Sequence, residues 1–332
     1  MSLLCPIPKA RSPALIGAGL VLLCLATALT VGGCDFQRTV DLKAPTHESK
    51  LVVNGEIVPG LPWRIDVSRS VGAFEPGTPS DEQQTVTDAT VTVLQDDERL
   101  GPLPLDSLNQ YSTRQFPPSP GRQYTVRVQA PNLGTVTATD RVPRAPSAHL
   151  TTEKIETGDD YYDRALVLTI DDPPETDNYY HVQVQKKGYR KDSTAIDTLG
   201  LTDVRFQTRN RSIIDEMGRV LEEANAYRGR EATFRDVLFG GTEHAIRLRV
   251  GEGRFLAPDE IEGDGYPRVK YLLYASTLSE DAYRFDHTNR LFQRTEDNPF
   301  AEPVNVHSNV EGGYGIVAGR HTDTLTVTVR PD

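Results

Sequence analysis

Between residues 51 and 142 the chain repeats one pattern: short segments whose apolar side chains fall on every second residue, separated by turn residues. WRIDVSRS (63–70) puts Trp63, Ile65 and Val67 on one face. TVTDATVTVLQ (85–95) does the same with Ala89, Val91 and Val93, and RQYTVRVQA (122–130) with Tyr124, Val126 and Val128. LVVNGEIV (51–58), QYSTRQF (110–116) and GTVTATDRV (134–142) complete the set, with PPSPG as a turn. A period of two gives each strand one buried face, which a helix cannot use. Short strands at this spacing predict a β-sandwich of immunoglobulin or transthyretin type over residues 49–146. The acidic stretch DERLGPLPLD between two of the strands reads as a solvated loop.

VPRAPSA (142–148) is Pro-rich and marks an expected boundary. A second β-rich domain over 147–332 follows. RALVLTID (164–171) and NYYHVQVQKK (178–187) read as a hairpin around DPPETD, with further strands at 245–252, 269–277 and 321–330. Two helical insertions are expected. Ile213, Ile214, Met217, Val220, Leu221 and Ala224 recur at helical spacing, which predicts a helix near 211–227. Ser279 is a good N-cap for a second helix near 280–293, with Glu280 and Asp281 in its first turn and Leu278, Ala282, Phe285 and Phe292 as its apolar stripe. The fold class is therefore mainly β: an N-terminal sandwich, then a second β-rich domain with two short helices. With 37% hydrophobic and 25% charged residues, the chain can build such cores.

The first 33 residues read as a targeting signal. Lys9 and Arg11 precede an uncharged apolar run, Ala14 to Val31, of 18 residues, at the lower limit for a permanent membrane helix. Val31-Gly32-Gly33-Cys34 then resembles the bacterial lipobox, in which small residues precede the cut and the cysteine thiol takes the lipid. Cleavage between Gly33 and Cys34 is expected, with acylation of Cys34; an uncleaved anchor is the rival reading. Cys24 follows two leucines and does not suit the peptidase. Residues 34–48 then form the lipidated cysteine and a polar tether. Two or three acyl chains on one residue anchor a protein stably. Asp35 would favour inner-membrane retention by the rule of enteric bacteria, which other phyla do not follow.

Cleavage removes Cys5, Cys24, Lys9 and Arg11 but no acidic residue, so the net charge moves from −11 to −13. No disulfide, cysteine-ligated metal or cysteine nucleophile remains. So acidic a body argues against nucleic acid as a partner. The seven histidines form no His-x-His pair and no His-Glu-x-x-His helix, and there is no Gly-x-Ser-x-Gly elbow. No cofactor or catalytic residue is assigned. The acidic pairs Asp159-Asp160, Asp171-Asp172 and Glu222-Glu223 leave a carboxylate hydrolase open. Asp259, Glu260, Glu262 and Asp264 read as a solvated turn, with calcium as the alternative.

SNVEGGYGIVAG (308–319) carries Gly313, Gly315 and Gly319 at a spacing reminiscent of a nucleotide-binding loop. That loop needs a strand before it and a helix after it. Here prolines at 299 and 303 precede it and a strand pattern follows, so the glycines are expected to serve positive φ or close passage in a bent connection. The segment from Asn309 to Tyr314 is expected at an exposed edge, with Asn309 and Tyr314 as candidate partner contacts.

NPFAEPVNVHSNVEGGYGIVAG (298–319) resembles the C-terminal hallmark of the domain-of-unknown-function family 4249, exported lipoproteins of the Bacteroidetes and relatives. KLVVNGEI (50–57), DATVTV (88–93), DNYYHVQV (177–184) and FRDVLFGG (234–241) match it in order, after Val40-Asp41-Leu42. GRQYTVRV is also similar to the closing hairpin of carboxypeptidase-regulatory-like domains. The family resemblance implies an outer-membrane lipoprotein that accompanies a TonB-dependent receptor in uptake and acts by binding, not catalysis. A structural or adhesive envelope lipoprotein and an extracytoplasmic hydrolase are the alternatives.

Overall fold

Strand-forming alternation dominates the computed structural model, which describes residues 48–72, 84–155, 164–174, 176–191, 196–198, 200–218, 225–251, 268–295 and 300–329. Gly33, Cys34, the tether and the acidic turn 259–264 lie outside the described residues. All described residues fall in the compact unit His47–Asp332.

The strands in chain order are β1 (Leu51–Ile57), β2 (Trp63–Arg69), β3 (Thr90–Gln95), β4 (Glu98–Leu103), β5 (Tyr111–Thr113), β6 (Gln123–Ala130) and β7 (Gly134–Arg141). Then come β8 (Ala148–Lys154), β9 (Arg164–Asp171), β10 (Tyr179–Lys191), β11 (Ile196–Thr198), β12 (Thr202–Asp203) and β13 (Phe206–Thr208). Helix α1 (Arg211–Met217) precedes β14 (Tyr227–Gly229), β15 (Glu231–Arg235), β16 (Glu243–Val250) and β17 (Arg268–Leu278). Helix α2 (Glu280–Thr295), β18 (Val310–Glu311) and β19 (Tyr314–Val329) close the chain. The protein is mainly β, with two helices among the described residues.

One nine-stranded sheet runs β11-β10-β17-β19-β1-β2-β5, with β12 and β15 also on β10. Two five-stranded sheets, β18-β7-β6-β3-β4 and β14-β13-β16-β9-β8, cover different parts of it. The first core joins Leu51, Trp63, Ile65, Val67, Val93 and Val126 between β1–β2 and β3–β6. Trp63 anchors it, edge-on to Tyr124 at 5.2 Å and donating through Nε1 to the Phe116 carbonyl at 2.9 Å. The second core joins Leu166, Leu168, Ile246 and Leu248 of β9 and β16 to Val182, Phe234, Tyr271 and Leu273 of β10, β15 and β17, with α1 closing it. The expected boundary at residue 146 falls between these cores in sequence. The large sheet nevertheless runs across it, because β19 pairs with β1 over its first part and with β17 over the rest.

Four sequence expectations change. DERLGPLPLD is no loop: Asp96 and Asp97 take positive φ, 46° and 70°, and turn β3 into β4. A two-residue hairpin needs that backbone, and aspartate tolerates it. The segments 164–171 and 178–187 are not a hairpin; β9 pairs with β8 and β16, while β10 pairs with β15 and β17, so the chain crosses between sheets. The first helix is shorter than 211–227. It ends at Met217, with Gly218 at φ 78°, and Tyr227 already lies in β14; residues 219–224 lie outside the described set. The stripe of the second helix is also different. Tyr283 is its buried residue, while Phe292 is 39% exposed.

Candidate functional site

The glycine segment divides: Val310–Glu311 form β18, Gly312 turns the chain at φ 82°, and from Tyr314 the segment is already the first part of β19. It runs parallel to β1, from Val52 opposite Tyr314 to Ile57 opposite Gly319. Two segments at opposite ends of the sequence, VVNGEI and YGIVAG, thus lie side by side. Glycine is what permits the approach. A Cβ on Gly315, whose φ is +105°, would stand 2.2 Å from the Val53 carbonyl oxygen. One on Gly319 would stand 2.6 Å from the Arg141 carbonyl oxygen. Any other residue must push the backbones apart. After Gly319 the strand leaves β1 and pairs antiparallel with β17.

Side chains lock this crossing. Asn309 clamps Val317, accepting from its N–H at 3.1 Å and donating to its carbonyl at 2.9 Å. The same amide donates to Asp281 at 3.2 Å, and Asp281 also meets His307 Nε2 at 2.8 Å. Asp140, at the end of β7, accepts from the Ser279 hydroxyl at 2.5 Å and from the Gly319 N–H at 2.7 Å. Ser279 caps α2 as expected, accepting from the Ala282 N–H at 3.1 Å. Burial raises the Asp140 carboxyl to about 6, against the pull of its hydrogen bonds.

Helix α2 is held over the large sheet by its other contacts. Tyr283 stacks on Tyr179 at 4.7 Å and donates to Glu216 at 2.6 Å, which also accepts from Arg235 at 2.6 Å. Arg294 donates to the Met217 carbonyl at 2.7 Å, tying α2 to the end of α1. Thr233 donates to Asp286 at 2.5 Å, so the 3.0 Å contact to His181 places the hydrogen on His181 Nδ1. Burial holds His181 well down, at about 4, and keeps it neutral. Arg290 pairs with Asp286 as well.

Between α2 and the non-core face of β1, β2 and β19 lies a groove of about 570 Å³. Asn54, Glu56, Arg64 and Asp66 line its floor with Ile316 and Ala318. Ala282, Phe285 and Asp286 form the helical wall; Val58, Leu61, Pro62 and Gln110 lie at the other side, and Arg320 at the end of the β19 segment. Gln110 donates to Asp66 at 3.0 Å, and Arg320 reaches Glu56 at 3.5 Å. The groove therefore carries both charge signs around an apolar patch. Pockets of this size and mixture accept small ligands with a fixed orientation.

The predicted contacts separate. Tyr314 is 45% exposed, with the Lys50 ammonium 5.5 Å above its ring. Asn309 has its amide turned inward on Val317 and Asp281, so it serves the fold. Asp172, one of the acidic pairs, is buried and accepts from Tyr180 at 2.5 Å and the Gly241 N–H at 2.8 Å. Asp236 accepts from the Asn178 N–H at 2.7 Å. These carboxylates join NYY to FRDVLFGG and hold a turn. No group of three or more His, Cys, Asp or Glu among the described residues is arranged to hold a metal ion. No helix among them is long and apolar enough to cross a membrane. Sequence reading passed over Arg64, Asp66 and Arg320 and assigned Phe285 only to the packing stripe of its helix. The available signal was the polar half of the β1 and β2 alternation; the helix itself was readable, but nothing local placed it over those strands.

A search of curated proteins finds no match. The family profile described as "Domain of unknown function (DUF4249)" matches residues 37–326, well over half of the chain. The resemblance carried by the β1 and β19 segments thus extends through both cores, and the chain belongs to this family.

Proposed function

We propose that this protein is a lipid-anchored binding or accessory protein of the outer membrane that works beside a TonB-dependent receptor in uptake. The observation that carries the reading is Val31-Gly32-Gly33-Cys34 after an apolar run, followed by a polar tether and a β-rich body. Acyl chains on Cys34 hold such a body at a membrane without a spanning helix. The groove under α2 offers a preformed place to hold a ligand for transfer, on a part of the molecule fixed by the Asp140, Asn309 and Glu216 contacts. The protein acts by binding; its buried carboxylates are engaged in turns and caps.

The test has two arms in the native bacterium. An alkynyl palmitate label should enter the wild-type protein and be absent from Cys34→Ala. Mild-detergent purification of the wild type should bring a TonB-dependent receptor with it. Label retained in Cys34→Ala, or a receptor missing from repeated purifications of intact lipoprotein, overturns the reading.

A further inference from the structure

The groove can be read more closely, on the reading just given that this protein binds a ligand. Its floor spans three strands. Asp66 lies opposite Asn54 across β2 and β1, and Asn54 lies opposite Ile316 across β1 and β19. Arg320 stands four residues further along β19. With strands about 4.8 Å apart and about 3.3 Å per residue, Asp66 and Arg320 occupy opposite corners, roughly 10 Å across and roughly 13 Å along the sheet. Both residues line the groove, so the span a ligand must bridge is shorter than that backbone diagonal.

The charges are open in a particular way. Asp286, on the helical wall, is neutralised by Arg290. Asp66 has a neutral partner, Gln110. Among the described residues the Arg64 side chain makes no hydrogen bond or close ion pair, and Asp106 feels its charge only at longer range. Arg320 touches Glu56 at 3.5 Å, too loosely for a strong pair, and its Nε is buried without an acceptor. A guanidinium short of acceptors is a ready carboxylate site, because its donors match two oxygens at once. An under-partnered carboxylate at the other corner suits an ammonium. Between them Phe285, Ile316 and Leu61 supply apolar surface.

We propose that the groove binds a short extended peptide of about three residues by its two charged ends. The C-terminal carboxylate sits on Arg320, the N-terminal ammonium on Asp66, and an apolar side chain lies on Phe285 and Ile316. An extended chain advances about 3.3–3.6 Å per residue, so three residues fill the shortened span. A free peptide has one charge of each sign at its ends, which matches Arg320 at one corner and Asp66 at the other.

The test is calorimetric titration of the detergent-solubilised full chain with Ala-Leu-Ala, its C-terminal amide and its N-acetyl form. Ala-Leu-Ala should bind, and each blocked form at least tenfold more weakly. Arg320→Gln should remove the preference for a free carboxylate and keep that for a free amine; Asp66→Asn should do the reverse. Asp66 is exposed and Arg320 half-buried, and unchanged melting temperatures confirm that the variants fold. Equal binding of all three peptides, preferences that survive both substitutions, or no binding of any peptide overturns the proposal. In the last case, co-purification with a receptor would still leave the partnership standing, so the two readings fail separately.

Discussion

The Gly319 N–H donates to the Asp140 carboxylate over 2.7 Å, and this contact joins the end of β7 in the first core to the strand that serves both. The same oxygen accepts from Ser279, the cap of α2. One buried acid therefore sets where the last strand changes partners and where the helix starts.

Asp140 should leave a mark on the pH dependence of stability. Its folded value of about 6 lies above the ordinary 3.8, so the folded state holds the proton more tightly. Stability from this group is full below pH 4, falls as pH rises from 4 to 6, and is lost above it. Two units correspond to on the order of 3 kcal/mol. Asp140→Asn should lack that slope. Urea unfolding at pH 4.5 and 6.5 measures it; parallel profiles for the two proteins would disprove the assignment.

His181 should titrate in the opposite sense. Burial lowers it from 6.5 to about 4, so the folded state resists protonation. Its contribution is full above pH 6.5 and declines as pH falls from 6.5 towards 4. In an NMR titration its ring should stay neutral at pH 5.5, with the hydrogen on Nδ1. A midpoint near 6.5 would show that the ring is not enclosed beside Thr233.

Gly315→Ala and Gly319→Ala should each cost about 3 kcal/mol or more, because the new methyl meets a carbonyl oxygen of a packed neighbour. Gly121 is the control. It has φ +75°, and a methyl there would meet nothing within 4 Å, so Gly121→Ala should cost only about 1 kcal/mol. Denaturant midpoints with comparable slopes decide it, and equal losses at all three sites would refute close passage as the cause.

Asn309 and Tyr314, five residues apart in the hallmark, should part in their effects. Asn309→Ala leaves both Val317 backbone groups without their partner and should cost about 1–3 kcal/mol. Tyr314→Ala, on the surface, should stay within about 0.5 kcal/mol of wild type. Thermal melting of both variants checks this. Loss of receptor co-purification in a fully stable Tyr314→Ala protein would mark it as a contact.

Much of the fold was legible because strand alternation is a local property. Trp63, Ile65 and Val67 point inward whatever else the chain does, and β1, β2, β6 and β7 follow from such runs. Ser279 was readable as a cap for the same local reason. The Asp96-Asp97 hairpin was missed because its signal lies in two positive φ angles, which Asp-Asp marks less plainly than Asn-Gly or Asp-Gly. The groove was missed because its parts sit on opposite ends of the chain.

By itself, the sequence determined a mainly β chain, the order of most of its strands, and a glycine segment followed by a strand pattern. These depend on residue type and near neighbours. Only the tertiary structure decided that β19 lies parallel to β1, that one sheet serves two cores, and that Asn309 faces inward while Arg320 and Asp66 face a common groove. Pairing between residues more than 250 positions apart is set by close backbone approach at Gly315 and Gly319 and by the Asp140 contacts. No local pattern encodes which distant strand will fill that space.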